Sequence, residues 1–478
     1  MCGESRAVDS VGQAGSLLLF PANTRVDSKG QLWLAGRRAA DLAQEFGAPL
    51  YVFDEATLRG RCRAYRNALA QHYPGQSHAA YASKAYLNLA LAQLFAQEGL
   101  YLDVVSGGEL HVARQAGFPA GRVHFHGNNK SPAELEMALD ERVGRIVVDN
   151  FYELELLERL AAGRDVPVPI WLRLSPGIDV HTHDYRKTGL LDSKFGFPLE
   201  TGDAGRALAR ALDSPHLELF GLHAHIGSQI FDLKPFALTV ARLLDFAAEA
   251  RAKYGFNLRE LSPGGGWGVH TVGAGLRARP GRPQSPGRPQ RGAPTLDRYV
   301  QTISQAVVDG CGRHGLALPT LVIEPGRSII APAGVALYRV GARKEIPGLR
   351  TYVSVDGGMA DNIRPALYGA HYTALIANKA NHPPTETVTI AGKFCESGDV
   401  LIKDIPLPCL EPGDLLAVPM VGAYCLPLAN NYNLAPRPAV VLVRDGQAAL
   451  IQRRESYQDL IARDRPLPGN TTTLRWRG

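Results

Sequence analysis

The chain has 478 residues, of which 45% are hydrophobic and 21% are charged. This composition is typical of a globular protein, and the length predicts two or three domains. It excludes global disorder, a collagen-like repeat and a coiled coil. No apolar stretch approaches the roughly 18 residues of a membrane-spanning helix, and the first residues, MCGESRAVDS, do not predict a secretory signal. We therefore expect a cytoplasmic protein with no membrane contact.

One segment rich in arginine and proline carries most of the net charge of +6. Residues 273–294 contain five arginines and no acidic residue, and subtracting those five charges leaves +1 for the rest of the chain. The repeated PGRPQ within it prevents a helix. We interpret the segment as a solvated loop insertion, with a docking arm for an acidic partner as the alternative. The nearly neutral remainder does not indicate a nucleic-acid-binding surface.

The N-terminal part contains the strand-like runs LLLF and QLWLAG. We expect residues 1–25 to be flexible and residues 26–50 to supply strands to a second domain. The six cysteines form no CxxC pair, so neither a disulfide framework nor a metal site is expected.

Short β-rich runs alternate with helical segments from about residue 78 to residue 326. The segments between them, such as NLALAQLFAQEG, have apolar residues at helical spacing. Eight such units predict a closed (β/α)8 barrel of the TIM type over residues 51–330. A doubly wound open sheet is the alternative, but no GxGxxG follows the first strand. The eight runs end at Lys84, Ser106, Gly127, Asp149, Ser175, Gly227, Gly266 and Gly326.

The pattern changes after Ile330. Segments such as TYVSVDGG, TVTIAGKF and PAVVLVRDG read as antiparallel strands joined by turns. We therefore predict a second, all-β domain made of residues 331–478 together with the N-terminal strands.

Polar side chains stand where the predicted barrel strands end, which is where barrel enzymes place their active sites. A lysine can bond to an aldehyde, glycine amides and a serine can hold a phosphate, and a carboxylate can keep a pyridine nitrogen protonated. Each residue alone has an ordinary explanation, such as a surface lysine or a turn glycine. Together they predict a pyridoxal phosphate site suited to decarboxylation. These side chains are Lys84, His225, Ser228, Glu324 and Arg327, with the triplet Gly264–Gly266.

Eight sequence motifs closely resemble the diaminopimelate decarboxylases, which are fold-type III pyridoxal phosphate enzymes with an alanine-racemase-like barrel. The resemblance runs from about residue 30 to residue 460 and keeps the order of the family's motifs. These are YASKA, HGNNKS, HIGSQ, SPGGGWG, EPGRS, DGGMADNIRPALYGA, CESGD and GAYCLPLANNYN.

The resemblance implies a role for each matched residue. Lys84 would bond to the cofactor's aldehyde, His225 would stack on its ring, and Glu324 would face its pyridine nitrogen. The other cofactor-binding residues would be Ser228, Gly265, Gly266, Gly326, Arg327 and Tyr424.

It also implies how the substrate is held. Cys395 would be the proton donor, and in the family the Cys-Glu pair reaches the site from the neighbouring subunit, so the active unit would be a homodimer with shared active sites. The substrate-binding residues would be Arg327, Arg364, Tyr368, Glu396 and Tyr424.

The function implied is decarboxylation of meso-diaminopimelate to L-lysine and carbon dioxide, the last step of lysine biosynthesis. Arginines suit the distal carboxylate and Glu396 suits the distal ammonium. The alternative is a related decarboxylase acting on another diamino acid or on a carrier-tethered amino acid. An isomerase of the alanine-racemase type is less favoured, because it prefers an unprotonated pyridine nitrogen, and a non-catalytic cofactor-binding protein would not need CESGD.

Overall fold

The computed structural model describes residues 17–179, 193–271 and 294–468. Residues 273–293 of the predicted insertion 273–294 and residues 1–16 of the predicted flexible N-terminus lie outside them. No helix within these ranges is both long enough and apolar enough to cross a bilayer.

The first strands among the described residues form a small sheet, and the chain then passes through the second domain before it forms the barrel. Strands β1 to β3 make up this three-stranded antiparallel sheet. Their apolar residues Leu32 and Leu34 pack against Leu50, Val335 and Leu337 of the larger sheet. The elements are β1 (Arg25–Val26), β2 (Leu32–Leu34), β3 (Arg37–Arg38), α1 (Ala39–Phe46), β4 (Leu50–Asp54) and α2 (Glu55–His72).

Eight parallel strands form a closed barrel, because the pairing of β8 with β9 joins the two ends of the sheet. The predicted (β/α)8 architecture is therefore confirmed. Its strands are β5 (Ser77–Ala82), β6 (Tyr101–Val104), β7 (Val123–Phe125), β8 (Arg145–Val148), β9 (Val168–Ser175), β11 (Leu217–His223), β12 (Glu260–Ser262) and β13 (Thr320–Ile323), with β10 (Phe197–Pro198) beside β9.

The first four helices that follow these strands start at polar caps. The side chains of Asn88, Ser106 and Asn150 each accept a backbone N–H in the first turn, and Ser131 forms a capping box with Glu134. Such caps satisfy N–H groups that have no partner within the helix. The helices are α3 (Leu89–Gln97), α4 (Gly107–Gln115), α5 (Pro132–Asp140), α6 (Phe151–Ala161), α7 (Asp203–Asp213), α8 (Lys234–Tyr254), α9 (Leu296–His314) and α10 (Arg327–Ile330).

The second domain is a mostly antiparallel sheet with β4 from the N-terminal part at its centre. β4 pairs antiparallel with β14 and parallel with β20, which confirms a second β-domain built from both ends of the chain. The elements are β14 (Gly334–Ile346), β15 (Arg350–Val355), α11 (Arg364–Tyr368), β16 (Leu375–Ile376), β17 (Glu386–Ala391), β18 (Val400–Leu407), β19 (Leu415–Pro419), β20 (Ala439–Arg444), β21 (Gln447–Gln452) and α12 (Tyr457–Leu460).

The domain limits at residues 25, 50 and 330 stay predictions. One strand crosses the second limit: β4 spans Leu50–Asp54, although the barrel was predicted to start at residue 51. β4 belongs to the sheet of the second domain, where it forms hydrogen bonds with β14 and β20. Apolar residues of the three strands share one buried cluster, which favours this position.

Candidate active site

A cavity of about 380 Å³ opens at the carboxyl ends of the barrel strands. Strand ends meet at this mouth because all eight strands are parallel. Ten of the residues predicted for the site line this cavity, namely Lys84, His225, Ser228, Gly266, Glu324, Gly326, Arg327, Arg364, Tyr368 and Tyr424.

Lys84 stands on a short 3-10 turn, Ser83–Ala85, directly after β5. Its neighbours Ser83 and Ala85 are buried, whereas Lys84 is exposed toward the cavity. The carbonyl of Ala85 accepts the backbone N–H of Tyr424 at 2.7 Å. The lysine turn is thus tied to the second domain.

The glycine loop after β12 leaves no room for side chains. A Cβ on Gly265 would lie 1.9 Å from the carbonyl oxygen of Glu324, and one on Gly266 would lie 1.9 Å from that of Gly227. Both obstacles are backbone atoms, so only glycine fits. Gly266 faces the cavity, whereas Gly265 lies behind the lining and donates its N–H to Nδ1 of His225 at 3.3 Å.

Glu324 follows β13 and is buried among imidazoles. Its carboxylate lies 3.0 Å from Nε2 of His223 and accepts the hydroxyl of Ser262 at 2.6 Å. Burial alone would raise the pKa of this carboxyl, but His223, His126 and His225 hold its pKa well below the usual range. Glu324 is therefore a carboxylate at neutral pH.

His225 is held as a neutral ring. Burial, and then the charge of Lys84, lower its pKa well below the ordinary value. The bond from Gly265 makes Nδ1 an acceptor, so the ring proton is on Nε2. A neutral aromatic ring in this place can stack on a planar ligand.

The two predicted substrate arginines differ in their surroundings. The guanidinium of Arg327 lies 4.4 Å from the ring centroid of Tyr424, and its Nη2 donates to Ser228 Oγ at 3.3 Å. Arg364 is only 2% exposed and donates to the hydroxyl of Tyr372. Among the described residues, no carboxylate forms an ion pair with Arg364.

Tyr424 reaches the cavity from the second domain in an uncommon backbone conformation. Its φ is +63°, a region that costs a non-glycine residue free energy and is often found at functional sites. The 2.7 Å bond to Ala85 offsets part of that cost.

Cys395 and Glu396 do not join the other predicted residues within one chain. Both are exposed and neither lines the cavity. The backbone of Cys395 is fixed by Asn433 Oδ1 at 3.1 Å and by the hydroxyl of Tyr432 at 3.2 Å. Their loop is therefore an ordered surface feature of the second domain. Among the residues that the structure describes, Cys62, Cys311, Cys395 and Cys425 are free thiols.

Sequence reasoning assigned no role to several residues that line the cavity, among them Asp103, His126 and His223. The sequence held one indication of His223: it precedes His225 by two residues, and residues two apart in a strand lie on the same face. His126, Asp103 and Glu324 also belong to two groups whose possible ligand atoms lie within 4.8 Å of one another. That the site takes no metal stays a prediction.

The residues present fit pyridoxal phosphate. The glycine loop is a cradle that any Cβ would fill, and the Ser228 and Arg327 side chains are hydrogen-bonded to each other in the same cavity lining. Lys84 and the buried carboxylate of Glu324 line the same cavity. This set defines the class: a (β/α)8 barrel enzyme that uses pyridoxal phosphate.

Comparison with known proteins identifies the family. Residues 55–331 match the pyridoxal-binding domain of the pyridoxal-dependent decarboxylases. Diaminopimelate decarboxylase of Bacillus subtilis is 48% identical over 449 residues, which are 94% of this chain and 98% of that protein. The crystal structure of diaminopimelate decarboxylase from M. jannaschii in complex with L-lysine is 33% identical, with a TM-score of 0.82 over 95% of this chain and 99% of that one.

A third relative agrees with these two. Diaminopimelate decarboxylase of Helicobacter pylori, also solved with L-lysine, is 32% identical with a TM-score of 0.77, over 88% of this chain and 98% of that one. The chain belongs to the diaminopimelate decarboxylase family. The family and the enzyme class predicted from the motifs are confirmed.

Proposed function

We propose that this chain decarboxylates meso-diaminopimelate to L-lysine and carbon dioxide with pyridoxal phosphate, as the last step of lysine biosynthesis in the cytoplasm. The observation that carries the proposal is Arg364, a buried arginine without a carboxylate partner among the described residues. A buried charge without a counter-ion is costly. The distal carboxylate of diaminopimelate supplies the missing anion and an arginine can bind it through two hydrogen bonds.

The bound cofactor supplies an electron sink for the electron pair that remains when carbon dioxide leaves. Lys84 would hold the cofactor's aldehyde, and the glycine loop with Ser228 and Arg327 would hold its phosphate. His225 would stack on the ring. Glu324 would offer the pyridine nitrogen a negative charge that favours its protonated form.

Cys395 and Glu396 act in the cavity of a second copy of the chain, so the active form is a homodimer with shared sites. Their exposure on an ordered loop outside their own cavity supports this arrangement. Cys395 gives the substrate's α-carbon its proton. Glu396 binds the distal ammonium. Arg364, Tyr368 and Tyr424 bind the substrate too, and they come from the same chain as Lys84.

The test is a substrate panel combined with one arginine variant. Carbon dioxide release should be efficient with diaminopimelate and weak with lysine, ornithine or arginine, none of which has a distal carboxylate. Arg364→Leu should raise KM for diaminopimelate roughly 10- to 100-fold, since a hydrogen bond to a charged group is lost. Arg313→Leu, at an exposed arginine of α9, is the control and should leave KM unchanged.

Two results would contradict the proposal. The first is turnover of ornithine or lysine as efficient as that of diaminopimelate, which would favour a decarboxylase of another diamino acid. The second is an unchanged KM for diaminopimelate in Arg364→Leu.

A further inference from the structure

Two buried side chains contact Glu324 from the neighbouring strands. His223 is the last residue of β11 and Ser262 is the last residue of β12, and the strand register places them side by side. Glu324 comes directly after the next strand, β13. Three adjacent strand ends thus meet at one carboxylate.

The hydrogen bonds at Ser262 have defined directions. The N–H of Gly264 donates to Ser262 Oγ at 3.2 Å, so the hydroxyl proton is left to point at Glu324 Oε1, 2.6 Å away. The backbone N–H of Glu324 returns a bond to the carbonyl of Gly264 at 3.1 Å. Ser262 therefore acts on Glu324 as a donor.

His223 is a second donor to the same carboxylate. Its Nε2 lies 3.0 Å from Oε1 and 3.2 Å from Oε2 of Glu324. Burial lowers the pKa of His223 to about 4, so the ring is neutral at pH 7. A neutral ring carries one N–H, and the short distances to Glu324 place it on Nε2.

The ring of His223 is itself fixed on two sides. Trp171 lies parallel to it with centroids 6.4 Å apart, and the edge of His126 meets it at 4.9 Å. His126 in turn has Nε2 3.4 Å from a carboxylate oxygen of Asp103. This packing keeps the Nε2–H of His223 aimed at Glu324.

We propose that His223 and Ser262 are positioning residues that hold Glu324 as an oriented carboxylate, with Trp171 and His126 fixing the ring of His223. Without two donors, a carboxyl buried this deeply would favour its protonated form, and it would lose the charge that the pyridine nitrogen needs. The inference rests on the proposed function, because Glu324 matters here only as the partner of a bound pyridoxal phosphate.

Four variants separate a positioning role from a packing role. His223→Leu and Ser262→Ala each remove one donor, whereas His223→Gln keeps an N–H near the place of Nε2. Glu324→Gln removes the charge completely, so its effect on the cofactor spectrum and on kcat is the reference for the other variants. The control is His78→Asn, at a half-buried histidine at the start of β5, the opposite end of the barrel.

Four quantities are measured on the full-length protein. Cofactor affinity is measured by adding pyridoxal phosphate to cofactor-free protein without substrate. The pH dependence of the absorption spectrum of the bound cofactor, kcat and KM are measured on the loaded protein. Besides His223, the titratable or charged groups that act on Glu324 in the described part of the chain include His126, His225 and Arg173, and Lys84 acts on His225. All four stay in every variant.

His223→Leu should lower kcat roughly 10- to 100-fold with little change in KM, in keeping with a lost hydrogen bond to a charged group. It should also add a titration near neutral pH to the cofactor spectrum. His223→Gln should recover most of the wild-type kcat and cofactor spectrum. Ser262→Ala should show the same two defects in weaker form. Glu324→Gln should have a lower kcat than His223→Leu or Ser262→Ala.

A wild-type spectrum and kcat in His223→Leu would overturn the inference. So would His223→Gln as impaired as His223→Leu while Ser262→Ala behaves as wild type, because that pattern indicates packing alone. If His223→Leu does not fold, Ser262→Ala decides: an unchanged spectrum and kcat overturn the inference. Failure of the proposed function looks different, since the wild-type protein itself would then bind no pyridoxal phosphate or release no carbon dioxide from diaminopimelate.

Discussion

The barrel and the second domain contribute to the site in different ways. The barrel brings Lys84, His225, Ser228, Glu324 and Arg327 into one cavity within a single chain. The second domain sends Arg364, Tyr368 and Tyr424 into that cavity but keeps Cys395 and Glu396 on its surface. The residues proposed to face the cofactor thus share one cavity within a single chain, and the residues proposed to handle the proton and the distal ammonium do not.

The difference follows from how each architecture brings residues together. Parallel strands that close a barrel must end at one mouth, so residues far apart in sequence converge without special contacts. The second domain has no such rule. Its loops reach the cavity only through particular bonds, such as the one between Tyr424 and Ala85 that holds a strained backbone in place.

The largest effect is expected on the barrel side of this comparison. Lys84→Ala should reduce turnover roughly 1,000-fold or more, because it removes the amine proposed to bond to the cofactor. Lys253→Ala, at an exposed lysine of α8, is the control and should be fully active. Borohydride reduction followed by peptide mapping should find the cofactor on Lys84; an adduct on another lysine would contradict the assignment.

The same contrast explains what the sequence could predict. The barrel and the strand ends with Lys84 and Glu324 follow from alternating β and helical patterns and from parallel topology. The donors around Glu324 could not be assigned, because His223 and Ser262 act through side-chain directions that only the closed barrel defines. The prediction that the barrel domain starts at residue 51 did not include the pairing of β4, because its partner β14 lies almost 300 residues further along the chain and such pairing leaves no local pattern.

If Cys395 and Glu396 act in the cavity of the partner subunit, two inactive variants should complement each other. Lys84→Ala and Cys395→Ala should each be nearly inactive alone. After subunit exchange, a hybrid dimer holds one site with both wild-type residues. Half of the dimers are hybrids and each has one intact site of two, so activity should approach roughly a quarter of wild type.

Mixing Cys395→Ala with Glu396→Ala is the matched control. Both changes lie on the same loop, so every site of the hybrid lacks one of the two groups, and mixing should add no activity beyond that of the two separate variants. If exchange is demonstrated and Lys84→Ala with Cys395→Ala still recover nothing, Cys395 acts within its own chain and the shared-site arrangement is wrong.

The smallest expected effect is on stability, and it concerns Asp361 in the second domain, close to Arg364 in the chain. Asp361 lies three residues before Arg364 and is fully enclosed by the second domain. It accepts bonds from the hydroxyls of Tyr51, at 3.0 Å, and Tyr338, and from the N–H of Gly358 at 2.8 Å. Burial, despite these donors, raises its pKa from 3.8 to about 6.

The sign of the effect follows from the direction of that shift. The folded protein holds the Asp361 proton more tightly than the unfolded chain does, so the free energy of unfolding falls as the pH rises from about 4 to 6. At 1.36 kcal/mol per pKa unit, the free energy of unfolding of wild type should fall by on the order of 2 kcal/mol between pH 4.5 and pH 7.5 through this group.

Asp361→Asn cannot ionise and keeps an oxygen that accepts the N–H of Gly358. The difference in free energy of unfolding, variant minus wild type, should therefore be higher at pH 7.5 than at pH 4.5 by about that amount. Denaturant unfolding at the two pH values measures the difference, with exposed Asp213→Asn as the control. An equal effect of Asp361→Asn at both pH values would mean that Asp361 titrates as an ordinary carboxyl and that its burial is relieved in solution.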